Sequence, residues 1–208
     1  PRALSRVRGS LRDVAALGRR GAAAAGERLV ARGADETLGA SADLVEQARR
    51  RGARHVRLFE VATPAAMPAR PRAAVRDELG IDAAAPLIVV VARLHPQKGL
   101  DVLIDAAARW RAPLPELRVV VAGEGPQRAQ LQARIDRLSA PVRLLGRRDD
   151  VADLLGAADV VAMPSRWEAR ALAAQEALRV GAALVATEVG GLPDLVGDAA
   201  VLIAPDDV

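Results

Sequence analysis

The sequence predicts an α/β fold, a doubly wound parallel sheet preceded by a partial second α/β unit. Three observations carry this. From residue 72 onward, short apolar runs alternate with stretches of helical character, giving six strands joined by five crossovers. The runs Pro86-Leu87-Ile88-Val89-Val90-Val91-Ala92 and Asp159-Val160-Val161-Ala162-Met163 are apolar along their length, as strands covered on both faces are. A stretch with Pro64, Pro68 and Pro71 then separates this region from a shorter strand–helix–strand pattern in front.

Composition narrows the possibilities. The 208 residues are 51% hydrophobic, ample for a core. With two Trp, one Phe and no Tyr, that core is expected to be built from Ala, Val and Leu. The absence of cysteine excludes disulfides, thiolate metal sites and a cysteine nucleophile. His55 and His95 are the only histidines, so no metal centre is expected. No run of about 18 apolar residues is present to span a bilayer, and no signal peptide is visible. A cytoplasmic location is the expectation. The missing initiator Met and the abrupt end at Val208 suggest a piece of a longer protein. Residues 1–60 hold 13 Arg against 7 acids, whereas the remainder holds 17 basic and 19 acidic residues. That basic front could meet anionic lipid at the inner face of a membrane, or be a solvated helical face. Nucleic acid is not an expected partner, because no interleaved aromatics are available to stack bases.

In chain order, residues 1–32 are rich in Arg and Ala, with Gly9, Gly18, Gly21 and Gly26 dividing them into short helices, the last at 26–32. A short strand is expected at 34–40. Ser41 can N-cap a helix at 42–51 that Gly52 stops, and a second strand follows at 55–61. Residues 62–71 read as an extended, stiff linker between two lobes. The C-terminal region then runs helix 72–79, strand 86–92, helix 100–110, strand 117–122, helix 127–138, strand 142–145 and a short helix to Leu155. It continues with strand 159–163, a helix ending near Gly181, strand 183–187, a turn of helix at 192–196 and strand 200–203.

In open α/β sheets ligands bind beyond the carboxyl ends of the strands, where the next helix points its positive N-terminus. Two such loops carry chemistry. Arg93 and Lys98 leave one strand end together, on a loop that Pro96 and Gly99 hold out of helix. Arg offers a bidentate fork and Lys a point charge, a pairing that suits a departing diphosphate and could replace a metal ion. Of the 30 basic residues, 29 are Arg, so the one Lys suggests a requirement for the slimmer ammonium. In the other loop, Glu168 is followed eight residues later by Glu176 within the helix. Helical geometry would put these carboxylates near one face, about 12 Å apart along the axis. That exceeds the roughly 5 to 9.5 Å of an acid/base pair. It suits either two ends of an extended ligand or plain solvated charges.

Pro164-Ser165 before Trp167-Glu168, the small-residue helix, the strand at 183–187 and Gly190-Gly191-Leu192-Pro193 together resemble the nucleotide-binding half of family 4, or group 1, retaining glycosyltransferases. Their GT-B fold pairs two Rossmann-like lobes. R-L-x-P-Q-K-G at 93–99 resembles the family too, and residues 27–61 resemble the last βαβ of its acceptor domain. The resemblance implies an incomplete acceptor domain at 1–61, a linker at 62–71 and a donor-binding domain at 72–208.

It also implies transfer of a hexose from a nucleoside diphosphate sugar to an acceptor hydroxyl, with retention and without a separate cofactor. By resemblance, Arg93 and Lys98 bind the pyrophosphate, Glu168 lies at the donor sugar and Glu176 accepts from the ribose hydroxyls. The backbone of Ala169, Arg170, Ala171 and Leu172 would meet the donor phosphate. Gly125, in the Gly123-Glu124-Gly125-Pro126 turn, would lie at the site or simply make the turn tight. Arg147 would flank the nucleobase or be a surface charge, and Trp167 would cover the sheet edge or stack on ligand. The family has Gly-aromatic-Gly or similar where this chain has Ala169-Arg170-Ala171, so Arg170 either supplements Arg93 and Lys98 or marks a changed donor. Lacking most of the acceptor domain, the chain is expected to bind nucleotide but to be nearly inactive. The competing readings are another GT-B activity, such as a sugar-nucleotide epimerase or phosphorylase, and a degenerate module that binds nucleotide or a partner.

Overall fold

The computed structural model describes residues 19–59 and 61–207, so most of the expected helices of the arginine-rich front lie outside the described residues. The chain divides into two compact units, Pro1–Val61 and Ala62–Val208. In the first, α1 (Arg19–Gly33) is one helix of 15 residues, longer than the piece expected at 26–32. The alanine run 22–25 outweighs the glycines at 21 and 26, each of which costs only about 1 kcal/mol in a helix interior. Strands β1 (Thr37–Gly39) and β2 (Val56–Leu58) pair in parallel, with α2 (Ala42–Arg50) as their crossover. Ser41 does precede α2, yet its hydroxyl donates to Asp43 and caps no helix N–H.

The second unit opens with a stretch that is neither helix nor strand and then α3 (Arg72–Glu78). Strand β3 (Leu87–Val91) leads through a short turn at Pro96–Lys98 into α4 (Leu100–Trp110). Next come β4 (Arg118–Ala122), α5 (Arg128–Leu138), β5 (Val142–Gly146) and α6 (Val151–Ala157). The last elements are β6 (Val160–Met163), α7 (Leu172–Arg179), β7 (Leu184–Thr187), α8 (Leu192–Val196) and β8 (Val201–Ile203).

All six strands are parallel, in the order β5-β4-β3-β6-β7-β8. The chain thus winds outward from β3 to β5, returns, and winds the other way from β6 to β8. The winding reverses between β3 and β6. Period-two alternation splits the apolar runs between two cores: Leu87 and Val89 face α3, α6, α7 and α8, while Val90 faces α4 and α5. Each fully buried Val or Leu contributes about 1.5 to 3 kcal/mol. None of Trp110, Trp167 and Phe59 is buried, and on α7 the fully buried residues are Ala174 and Ala177.

The proline-rich stretch forms neither helix nor strand, and it is tied to this unit. The N–H groups of Ala69 and Arg70 donate to Asp153 Oδ1 at 2.6 and 3.1 Å, and Gly156 leaves room for Pro68. Among the described residues no helix is long and apolar enough to cross a membrane.

Candidate active site

Loops leave the carboxyl ends of β3 and β6, the neighbouring strands between which the winding reverses, and a parallel sheet opens a crevice there. In the first loop His95 Nδ1 accepts from the Gln97 N–H at 3.3 Å and so caps the Pro96–Lys98 turn. Gly99 follows with φ 60°, and a Cβ on it would lie 1.9 Å from the Pro164 carbonyl oxygen. Only glycine lets the two loops approach so closely.

The second loop is bonded to the first at several points. Arg166 N–H donates to Gln97 O at 2.8 Å, and Gln97 Nε2 donates to Trp167 O at 2.8 Å. The Arg166 guanidinium makes two bonds to the Asp101 carboxylate, at 2.9 and 3.0 Å. Burial pushes the Asp101 carboxyl up, but the bonds and charge of Arg166, together with the Asp101 and Val102 N–H groups, outweigh this and hold it below the usual carboxylate range. On the far side Gly190, at φ 53°, passes so close to Glu168 that a Cβ would lie 1.8 Å from the Glu168 carbonyl oxygen. That oxygen accepts from the Gly191 N–H at 2.9 Å.

This framework fixes Glu168, which is 5% exposed. Its Oε1 accepts from the buried Ser165 hydroxyl at 2.7 Å and is also ion-paired with Lys98. The single lysine, from the loop after β3, therefore meets the buried glutamate, from the loop after β6. Glu176 lies on α7, and its Oε1 accepts from the Thr63 hydroxyl at 3.0 Å. Helix α7 begins only at Leu172, which corrects the expected two-turn helical spacing of Glu168 and Glu176. The loop bends between them, and both still line one cleft.

The cleft encloses about 530 Å³. Arg93, Lys98, Arg147, Glu168, Arg170, Ala171, Leu172 and Glu176 all line it. Ala169, Gly125 and Trp167 do not; Gly125 lies against the Leu94 backbone instead. Arg93 is exposed, and Arg147 bonds Asp149 at 3.3 Å. Arg148 also lines the cleft but is committed to Asp150 and Glu78, which raise its guanidinium pKa. The first turn of α7 has no side-chain cap and no acid, so its N–H groups and partial positive charge are left to the cleft.

Sequence reasoning passed over Ser165, Thr63 and the Arg166–Asp101 pair. Ser165 had a signal, since it stands in the Pro-Ser that precedes Trp167-Glu168. The other contacts join residues 65 and 113 positions apart, which no local pattern marks.

Residues 85–208 match the family described as Glycosyl transferases group 1. The D-inositol 3-phosphate glycosyltransferase of Mycobacterium sp. (strain KMS) is 41% identical over 138 residues, covering 61% of this chain and 30% of that protein. The chain thus spans under a third of the length of such curated relatives. Among solved structures, Anabaena HepE in complex with UDP and glucose aligns with a TM-score of 0.79 at 25% identity, over 92% of this chain and 55% of HepE. Sucrose-phosphate synthase from Thermosynechococcus elongatus aligns at 0.74 and 26% identity, over 88% of this chain and 49% of the synthase. With its parallel sheet, its switch-point cleft and the match over residues 85–208, the chain belongs to the group 1 glycosyltransferases.

Proposed function

We propose that this chain supplies the donor-binding half of a retaining hexosyltransferase, one that moves a sugar from a nucleoside diphosphate to an acceptor hydroxyl. The observation that carries this is the single cleft in which Arg93, Lys98, the start of α7, Glu168 and Glu176 converge. Arg93 and the α7 amides meet the diphosphate. Lys98 has three N–H donors, so it can keep Glu168 and still donate to a phosphate oxygen. As the bond to the sugar breaks, negative charge grows on the diphosphate, and cations already in place stabilise it without reorganising. Glu168 is anchored through Oε1, which leaves Oε2 for sugar hydroxyls. Glu176 is anchored the same way and takes the ribose hydroxyls. Arg170 adds a further positive charge to the cleft beside the other two. Kinship with the family supports retention. HepE, with UDP and glucose, supports a uridine donor as the first to test. The arginine excess of residues 1–60 supports contact with anionic lipid.

The test is a titration of the purified chain with UDP, GDP and ADP, followed by thermal denaturation. At about 100 times its dissociation constant the right nucleotide adds about 2.7 kcal/mol of stability, and Arg93→Ala is expected to remove most of that gain. No shift with any of the three would favour a degenerate partner-binding module instead.

A further inference from the structure

The Glu176 side chain accepts a hydrogen bond through Oε1, and the donor is Thr63, 113 positions earlier in the chain. Thr63 is 7% exposed and is held by the same helix from two further positions. Its N–H donates to Gln175 Oε1 at 3.2 Å, and the next carbonyl, Pro64 O, accepts from Arg179 Nη1 at 3.2 Å. Three side chains of α7 therefore fix residues 63–64, so the hydroxyl is a rigid donor. Its one proton has two acceptors within reach, Glu176 at 3.0 Å and Pro64 O at 3.3 Å. The carboxylate is both nearer and charged, and charge-assisted hydrogen bonds are the stronger kind. The proton goes to Glu176.

We propose that Thr63 is a positioning residue for Glu176. By holding Oε1 it selects the rotamer that leaves Oε2 to a ligand in the cleft. It thereby ties recognition of a ribose diol to the proline-rich segment that precedes α3. This rests on the reading of Glu176 as the ribose acceptor. Without the threonine hydroxyl, the ligand itself would have to order a flexible glutamate and would bind more weakly for it. Valine has the shape of threonine but no proton to give. Serine keeps the proton.

Isothermal titration of the 208-residue chain with UDP and with 2′-deoxy-UDP reads both affinity and ribose discrimination. Thr63→Val is expected to weaken UDP about three- to tenfold while changing 2′-deoxy-UDP little, so the ratio between the two falls. Thr63→Ser is expected to restore both values. Glu176→Gln is expected to lower the same ratio, and Thr63→Val added to it to lower the ratio no further, as for two residues acting through one contact. If Glu176→Gln lowers the ratio and Thr63→Val leaves it unchanged, the inference is overturned while the ribose reading stands. If Glu176→Gln leaves the ratio unchanged, both are overturned. The ratio does not depend on the folded fraction, so a merely destabilised Thr63→Val variant still decides the matter; equal weakening of both nucleotides would make Thr63 structural only.

Discussion

A lone lysine among 29 arginines sits where a nearly buried carboxylate needs a slim cation. The side chains of Lys98 and Glu168 are 17% and 6% exposed, and Ser165 is the other donor to the same oxygen. Removing one member of such a pair strands a charge, whereas removing both does not. Lys98→Met is therefore expected to cost about 3 kcal/mol of stability, and Lys98→Met with Glu168→Gln to recover most of it. Thermal melts of the two variants beside the wild type check this; a single variant that melts like the wild type would mean the pair adds nothing. At this scale the sequence was half legible. Two cations beyond an apolar strand announce an anion, but that Lys98 pairs with Glu168, 70 positions away, is seen only in the fold.

Among the elements, α7 is the instructive one. Ala169 and Ala171 are good helix formers, yet the helix starts after them, because the Glu168 carbonyl that would accept the first turn's bond accepts instead from Gly191 N–H. A tertiary contact overrides propensity and keeps Glu168 in a loop. At the opposite end of the sheet, Asp159 ties α3, β3 and β6 together by accepting from Leu87 N–H at 2.8 Å, Arg76 at 2.7 Å and Arg72. Burial pushes its carboxyl up, but the Leu87 N–H and the two guanidiniums outweigh this and hold it below the usual range. A lowered folded pKa gives stability that is complete above the unfolded value, about 3.9, and is lost as pH falls through the folded one. Asp159→Asn is thus expected to cost about 1 to 2 kcal/mol at pH 7, because Arg76, 2% exposed, loses its charged partner. Urea melts check it: the gap between variant and wild type should shrink from pH 7 to pH 3, and a gap independent of pH would refute the assignment.

For the molecule as a whole, the two units carry different burdens. The unit from residue 62 onward has two full cores and contributes every residue of the cleft, whereas the described residues of the first unit form one βαβ behind α1 and leave Leu38, Leu58 and Phe59 about half exposed. Accordingly, a chain of residues 62–208 is expected to keep the nucleotide-induced stabilisation of the 208-residue chain. Neither is expected to transfer sugar at a measurable rate, since the match reaches only 30% of the D-inositol 3-phosphate glycosyltransferase of Mycobacterium sp. (strain KMS). Calorimetry with UDP and a sugar-transfer assay check the two halves of this statement. Loss of the response on truncation, or clear turnover by either chain, would contradict it.

The order of strands and helices was set by local pattern: apolar runs and helical stretches are written within windows of ten residues or so. Also local are the cations at 93 and 98 and the carboxylates at 168 and 176. The tertiary structure alone decided which of these meet, because a parallel sheet places as neighbours strands that are far apart in sequence. It set β3 against β6, closed Gly99 on Pro164 and Gly190 on Glu168, and laid Thr63 on Glu176. Each is a contact between segments whose separation in the chain no local propensity records.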